Sequence, residues 1–156
     1  MTRLVSLAAV ALLALATPAL AQDTAAAPGK AGDPLFGTDT AEWANDGECD
    51  DRRFEGEGMA AALSWTNVGK DATDCRALFE AGSIHLWDFA EARAATQCPA
   101  INFGDDASDY PNDGECDDRR FEGLSAASGI GPEAVGHDAT DCSTACTFGT
   151  VALRDY

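Results

Sequence analysis

Acidic residues and cysteines recur with one spacing at two places in the chain, and this combination is suited to holding a cation. The segment NDGECDD begins at Asn45 and again at Asn112, and the segment DATDC ends at Cys75 and again at Cys142. Each pair of segments offers carboxylate and amide oxygens beside a cysteine. Calcium takes about six to eight oxygen ligands and accepts irregular geometry, whereas magnesium requires a stricter octahedron. The residue types therefore favour calcium, with one ion for each pair of segments.

The candidate ligands occupy matching positions in the two copies. They are Asn45, Asp46, Asp50, Asp51, Asp71 and Asp74 in the first copy, and Asn112, Asp113, Asp117, Asp118, Asp138 and Asp141 in the second. Carboxylates held this closely repel one another unless a cation lies among them. The alternative is a solvated acidic loop in which Arg52-Arg53 and Arg119-Arg120 pair with neighbouring aspartates. An EF-hand is excluded, because alignment on its invariant glycine puts Arg120 where a bidentate glutamate is required.

An internal repeat accounts for the two copies. The offset is 112 − 45 = 67 at the first segment and 142 − 75 = 67 at the second. It extends without a gap from Phe36 and Phe103 to Phe89 and Tyr156, with 26 of 54 aligned positions identical. The repeat predicts two tandem homologous modules, at residues 34–89 and 102–156, and a linker at 90–101 that contains a helical stretch at 91–95.

The predicted fold is a small, disulfide-rich, mostly irregular α+β structure with little regular secondary structure, because modules of this size bury little apolar surface. The NDGECDD segments are predicted to form turns or loops. The further predicted elements are a short helix at 59–65, a loop at the matching residues 126–133, a helical turn at 75–80, and strands at 83–87 and 150–154. The predicted core residues are Phe54, Phe121, Trp43 and Tyr110.

The N-terminus is typical of an exported protein. Arg3 precedes an apolar run, and Ala19-Leu20-Ala21 supplies the small residues of a cleavage site. We therefore assign residues 1–21 to a signal peptide and residues 22–33 to a disordered leader. The apolar run is too short to span a membrane. Six cysteines fit an oxidising compartment, so we expect a periplasmic or secreted protein.

The charge balance restricts the partners. The formal net charge of −17 disfavours nucleic acid and anionic membrane surfaces and favours divalent cations. An extracytoplasmic protein or a glycan is a further candidate partner.

The repeated segments resemble the calcium-binding LNR modules of Notch-type receptors, and more loosely the LDL-receptor class A modules. LNR modules carry an N-G-x-C-D block and a D-G-x-D-C block whose cysteines are bonded to each other. Here the matching residues are Asp46 to Asp50 with Asp71 to Cys75, and Asp113 to Asp117 with Asp138 to Cys142. The resemblance implies that calcium is bound by Asp50, Asp71 and Asp74, and by Asp117, Asp138 and Asp141. The chain departs from that family in having only two cysteines in the first copy and a longer segment between the blocks.

The cysteine pairing follows from the repeat, although six cysteines allow about 15 arrangements in principle. Cys49 with Cys75 and Cys116 with Cys142 occupy equivalent positions. Cys98 and Cys146 align with Ala31 and Phe79, so both are additions to the second copy and are predicted to be partners.

The predicted function is calcium binding by an exported protein with a binding or interaction role. The alternatives are a structural or adhesion module with a solvated acidic surface and no specific metal, and a carboxylate-dependent hydrolase. Catalysis is disfavoured because His85 and His137 lie at unrelated repeat positions and no Ser-His-Asp or Cys-His arrangement repeats.

Overall fold

The computed structural model describes residues 35–156. The predicted signal peptide and leader lie outside the described residues. The described chain contains, in order, β1 (Cys49–Asp51), β2 (Phe54–Gly56), β3 (Met59–Ser64), α1 (Ala72–Glu80), β4 (Ile84–Leu86), α2 (Phe89–Ala95), β5 (Cys116–Asp118), β6 (Phe121–Gly123), β7 (Ala126–Gly131), α3 (Ala139–Phe148) and β8 (Val151–Leu153). Short 3-10 turns cover Trp65–Asn67, Cys98–Ala100 and Pro132–Ala134. This is a small disulfide-rich α+β fold, as the sequence predicts.

A four-stranded sheet in the order β1-β3-β7-β5 joins the two copies. Its outer pairs, β1 with β3 and β5 with β7, are parallel, and its central pair, β3 with β7, is antiparallel. In the central pair Leu63 lies opposite Ile130, and 130 − 63 = 67 is the offset of the repeat. An antiparallel pairing of a residue with its own equivalent is what a local two-fold axis produces. The antiparallel pairs β2–β4 and β6–β8 lie outside this sheet, one in each copy.

Two arginines cross between the copies in a reciprocal way. The Arg52 guanidinium donates to the carbonyl oxygens of Ala127 and Ser128, at 2.9 and 3.1 Å. Arg119, its equivalent, donates to the carbonyl oxygens of Ala60 and Ala61. Each copy therefore satisfies backbone acceptors on the central strand of the other copy.

The hydrophobic core is divided into three small clusters. Phe54 stacks on Phe36 at 5.6 Å between ring centroids, beside the Cys49–Cys75 bond. Phe121 stacks on Phe103 at 5.5 Å, beside the Cys116–Cys142 bond. Between them Leu63 and Ile130 pack with Ala60 and Ala127, at the junction of the copies. Phe54 and Phe121 are fully buried, which confirms their assignment to the core.

The three predicted disulfides are all present. Cys49 is bonded to Cys75, Cys116 to Cys142, and Cys98 to Cys146. The first two join the end of each acidic loop to the helix that follows it. The third ties the linker to α3, and this bond has no equivalent in the first copy. The predicted helical stretch in the linker and the two predicted strands are also confirmed, as α2, β4 and β8.

Two predictions about the middle of each copy are wrong. Residues 59–65 do not form a helix, and residues 126–133 are not simply a loop, because β3 and β7 occupy these segments. Alanine and leucine favour helix locally, but each of these strands pairs with two neighbours and buries a leucine or isoleucine between the copies. These tertiary contacts outweigh the local preference.

The assignment of Trp43 and Tyr110 to the core is also wrong. Trp43 is 57% exposed and Tyr110 is 65% exposed. Neither contributes to the three core clusters of the described chain. Hydrophobicity alone did not distinguish these aromatic residues, at equivalent positions of the repeat, from the buried phenylalanines.

Candidate metal centres

Each acidic loop is held in place by aspartates of the helix that follows it. In the first copy one oxygen of Asp71 accepts the N–H of Asp50 at 2.8 Å, and one oxygen of Asp74 accepts the N–H of Gly47 at 3.1 Å. Gly47 has φ of +96°, a conformation that glycine adopts without strain. The loop therefore wraps around the first turn of α1 and brings Asp50 beside Asp71.

The second copy repeats this arrangement. Asp138 accepts the N–H of Asp117 at 2.7 Å, and Asp141 accepts the N–H of Gly114 at 3.1 Å. Gly114 has φ of +94°. The two loops therefore use the same two hydrogen bonds at positions 67 residues apart.

The other oxygens of the central aspartates have no protein partner. Asp50 Oδ2 and Asp71 Oδ1 are buried without a hydrogen-bond partner among residues 35–156, and so are Asp117 Oδ2 and Asp138 Oδ1. Asp50, Asp71 and Asp138 are at most 4% exposed. A buried carboxylate oxygen without a partner is costly. It occurs at the same two positions of each copy, where a cation or a water molecule could supply the missing partner.

The electrostatic environment of these carboxylates is unfavourable for their charged form. Burial raises the pKa of Asp50 to about 6, and the negative charges of Asp46, Glu48 and Asp74 add to the effect. Burial also raises the pKa of Asp71 to about 7, against the opposing effect of the Asp50 N–H. Within the described chain no ion pair neutralises this group.

The second copy has the same electrostatic character. Burial raises the pKa of Asp117 to about 6, with contributions from Asp113, Asp138 and Glu115. Burial likewise raises the pKa of Asp138 above its usual range. In both copies, a bound cation would relieve the desolvation and the repulsion together.

Asp51 and Asp118 are placed apart from these groups. Asp51 binds the Arg53 side chain at 2.5 Å and accepts the N–H of Gly69 at 2.7 Å. Asp118 binds Arg120 at 2.6 Å and accepts the N–H of Gly136 at 2.8 Å. Their oxygens are already engaged by the protein. This is the arginine pairing that the sequence raised as an alternative, but it involves only one of the aspartates in each loop.

The remaining candidate ligands lie at the open end of each loop. Asp46 Oδ1 accepts the N–H of Glu48 at 3.0 Å, and Asp113 Oδ1 accepts that of Glu115 at 3.0 Å. Asn45 and Asn112 are exposed and have positive φ values of +70° and +63°. Asparagine tolerates this left-handed conformation better than most residues. These asparagines therefore start the turn of each loop.

Asp39 and Asp106 also support the centres, although no sequence motif marked them as candidates. Asp71 is the N-cap residue of α1, yet its side chain makes no capping bond. Asp39 instead accepts the backbone N–H and the hydroxyl of Thr73, both at 2.7 Å. In the second copy Asp106 accepts the same two groups of Thr140, at 2.8 and 2.7 Å. Capping from a separate segment leaves Asp71 and Asp138 free to face the loops. The repeat alignment of Asp39 with Asp106 was the available signal.

The spacing of the side chains permits metal binding in each copy. Ligand atoms of Asp71, Cys49 and Cys75 all lie within 4.8 Å of one another, as do those of Asp138, Cys116 and Cys142. These groups could hold a metal ion. Because the sulfurs are joined in disulfides they carry no thiolate charge, so the carboxylates are the charged donors.

No α-helix in residues 35–156 is long and apolar enough to cross a membrane. Comparisons with protein-family models, with curated proteins and with solved structures found no match to the chain.

Proposed function

We propose that this is an exported calcium-binding protein that holds one ion in each copy of the repeat and has a binding or interaction role. The observation that supports it is the set of four buried carboxylate oxygens without protein partners, at equivalent positions of the two copies. A solvated acidic surface does not account for them, because three of the four side chains are almost completely buried.

The donor set favours calcium over the other common cations. The unpartnered oxygens belong to carboxylates, which are hard ligands suited to calcium and magnesium and not to soft metals. Asp46 and Asp74 add further carboxylates around Asp50 and Asp71, as their effects on the pKa values of those two groups indicate. An irregular loop with several carboxylates suits the flexible coordination of calcium better than the strict octahedron of magnesium.

The disulfides support the assignment to an oxidising compartment. All six cysteines are paired, and bonds of this kind persist outside the cytosol. Extracellular calcium modules typically bind at about 10⁻⁴ to 10⁻³ M, which matches the calcium concentrations outside cells better than those inside. The predicted signal peptide and these bonds together favour export to the periplasm or beyond.

Calorimetric titration of the mature protein with calcium tests the proposal. We expect two ions per chain, and we expect magnesium at equal concentration to bind more weakly. Lanthanide ions serve as a second oxygen-seeking control. At a tenfold excess over the dissociation constant, each ion should stabilise the fold by about 1.4 kcal/mol.

Charge-neutralising variants locate the ions. Asp71→Asn keeps an acceptor for the Asp50 N–H but removes the charge, so one ion should be lost, and Asp138→Asn should remove the other. Glu57→Gln is the matched control, because Glu57 is an exposed carboxylate outside both loops. No heat with calcium, together with an unchanged melting temperature at millimolar calcium, would show that the acidic surface binds no specific metal.

A further inference from the structure

Trp43 and Tyr110 are aromatic in both copies of the repeat without serving the core. They lie 110 − 43 = 67 residues apart and are 57% and 65% exposed. An exposed aromatic residue is common in isolation. Here two of them lie at equivalent positions, each a few residues before an acidic loop. This indicates that both copies use the aromatic residue for the same purpose at the surface beside the candidate metal centre.

Each of these aromatic residues lines a cavity that is also lined by one carboxylate of the adjacent centre. A cavity of about 400 Å³ is bounded by Trp43, Glu42, Asp50 and Asn67. A cavity of about 310 Å³ is bounded by the equivalent residues Tyr110, Asp109, Asp117 and Ala134. The two cavities are thus related by the same offset, and both extend to Gly129 and Gly131 on β7.

One wall of each cavity is a carboxylate with an unpartnered oxygen. Asp50, at 4% exposure, is such a residue in the first cavity, and Asp117 is its equivalent in the second. A calcium ion bound there takes about six to eight oxygens. In the first copy the surrounding carboxylates are Asp46, Asp50, Asp71 and Asp74, and three of these four each use one oxygen to hold a loop N–H. The remaining carboxylate oxygens leave coordination positions for oxygens from outside the chain.

We propose that these cavities are calcium-dependent sites for a neutral glycan. Two neighbouring hydroxyls of a sugar complete the coordination of the ion, and the C–H face of the ring stacks on Trp43 or Tyr110. This inference rests on the proposed calcium binding and assigns a ligand class to the same centres.

The chemistry of the walls favours this ligand over others. Glu42 and Asp109 repel anions such as phosphate and accept hydrogen bonds from hydroxyl groups. In the first cavity Asn67 adds a polar side chain to the wall, where its Nδ2 donates to Asp50 Oδ1 at 3.4 Å. An amphipathic aromatic ring beside polar groups suits a ligand with one apolar face and many hydroxyls.

The test uses the full mature chain and three soluble probes, which are methyl α-mannoside, methyl β-galactoside and N,N′-diacetylchitobiose. Their binding is measured by ligand-observed NMR in millimolar calcium and again with excess EDTA. The variants are Trp43→Ala, Tyr110→Ala and the double substitution. Trp65→Ala is the matched control, because Trp65 is 48% exposed but lines neither cavity.

We expect at least one probe to bind in calcium and not in EDTA. Each single substitution should halve the binding signal, the double substitution should abolish it, and Trp65→Ala should leave it unchanged. All of these variants should still bind two calcium ions by calorimetry.

Different failures are distinguishable. If calcium binds but no probe does, or if binding persists in EDTA or in the double variant, the glycan inference is overturned and the proposed function stands. If a cationic peptide such as oligolysine binds in place of every sugar, the acidic walls select charge and the inference is again overturned. If calcium itself does not bind, both proposals fall.

Discussion

The acidic centres of the two copies share the same hydrogen bonds from aspartates to the loop backbone, whereas a second pair of equivalent surfaces has diverged. One of these surfaces, which we call the tryptophan groove, is a cavity of about 560 Å³ lined by Trp65, Leu86, Trp87, Phe89 and Leu124, with Arg52 and Glu122. Its counterpart, about 340 Å³, is lined by Arg119, Val135, Leu153, Arg154 and Glu55. Trp87 and Arg154 are equivalents, since 154 − 87 = 67.

The replacement of one residue changes the chemistry of the whole surface. Arg154 binds Glu55 and Glu122, both at 2.8 Å, and also donates to the Phe54 carbonyl. Trp87 makes no such charged contact, and its ring N–H donates to the Leu153 carbonyl at 3.2 Å. At this position the tryptophan groove therefore has an aromatic ring, whereas its counterpart has a guanidinium group paired with two glutamates.

This contrast shows where the fold tolerates change. In the first acidic centre Asp46, Asp71 and Asp74 each accept a particular backbone N–H, so a substitution of any of them disrupts the loop. In the grooves the requirement is only to fill space and to balance charge, which different residues can meet. The identical loops and the divergent grooves follow from this difference in geometric constraint.

The largest expected loss of stability concerns the ion cluster between the copies, which consists of Arg52, Glu122, Arg154 and Glu55. Glu122 lies between Arg52 and Arg154, and these three side chains are at most 4% exposed. Glu122→Gln should cost about 3–5 kcal/mol of unfolding free energy, because it leaves the buried Arg52 guanidinium without its counter-charge and leaves Arg154 with only the partly exposed Glu55. Chemical denaturation measures this loss.

The equivalent residue in the other copy is the control. Glu55 has a 20% exposed side chain and binds only Arg154, which keeps Glu122 as a partner. Glu55→Gln should therefore cost about 1 kcal/mol or less. Equal losses for the two variants would contradict the view that the copies have diverged energetically at this cluster.

The next largest effect separates the added disulfide from the repeated ones. Replacing Cys98 and Cys146 by alanine should cost about 2–4 kcal/mol, since the bond closes a loop over 48 residues. Calcium stoichiometry should stay at two ions per chain, because this bond holds the linker and not an acidic loop.

Removal of the repeated bond Cys116–Cys142 should have a comparable cost in stability but a different effect on calcium. Cys142 follows Asp138 and Asp141 on α3, and Cys116 precedes Asp117, so the bond holds together the two halves of the second centre. We expect this variant to bind one ion. Retention of two ions would show that the disulfide does not position the carboxylates.

The sequence predicted the parts of the fold that depend on covalent or repeated constraints. The three disulfides followed from equivalent positions and from the paired additions in the second copy. The burial of Phe54 and Phe121 and the short strands after each helix also followed from local patterns. The small disulfide-rich α+β character of the fold was also predicted for this reason.

The parts that failed depend on contacts between the copies. Residues 59–64 carry helix-favouring residues but form a strand, because β7 lies beside them and Leu63 is buried against Ile130. No local pattern contains that pairing. Nor does the sequence alone distinguish Asp50 from Asp51, although in the structure only Asp51 of these two forms an ion pair with an arginine.

The metal-free protein should lose stability as the pH rises. Because burial raises the folded-state pKa values of Asp50 to about 6 and Asp71 to about 7, from an ordinary value of 3.8, the folded state holds protons that the unfolded state has released. Stability from these groups is present below about pH 4 and is lost as the pH rises towards 7.

Thermal unfolding in EDTA across this range measures the effect. We expect a total loss of unfolding free energy on the order of 1–2 kcal/mol. This is less than the full shifts would give at about 1.4 kcal/mol for each pKa unit, because water at the open end of the loop screens these charges. Saturating calcium should remove the loss, and Asp71→Asn should reduce it. A metal-free protein that is more stable at pH 7 than at pH 5 in wild type and variant alike would contradict the electrostatic account of the centres.

The smallest expected effect compares the aspartates that cap the helices from outside. Asp39→Ala removes two 2.7 Å hydrogen bonds to Thr73 at the start of α1, and should cost about 1 kcal/mol, as the loss of an N-cap does. Asp106 makes the same contacts to Thr140 but is exposed, so water replaces it more readily and Asp106→Ala should cost less.

Calorimetry with calcium adds a second measurement, because without Asp39 the Asp71 carboxylate can turn to cap α1 itself. Weaker calcium binding in the first copy alone would then follow from Asp39→Ala, and in the second copy alone from Asp106→Ala. If neither substitution changes calcium affinity while both lower stability, these aspartates serve the helices only, and the centres do not depend on capping from a separate segment.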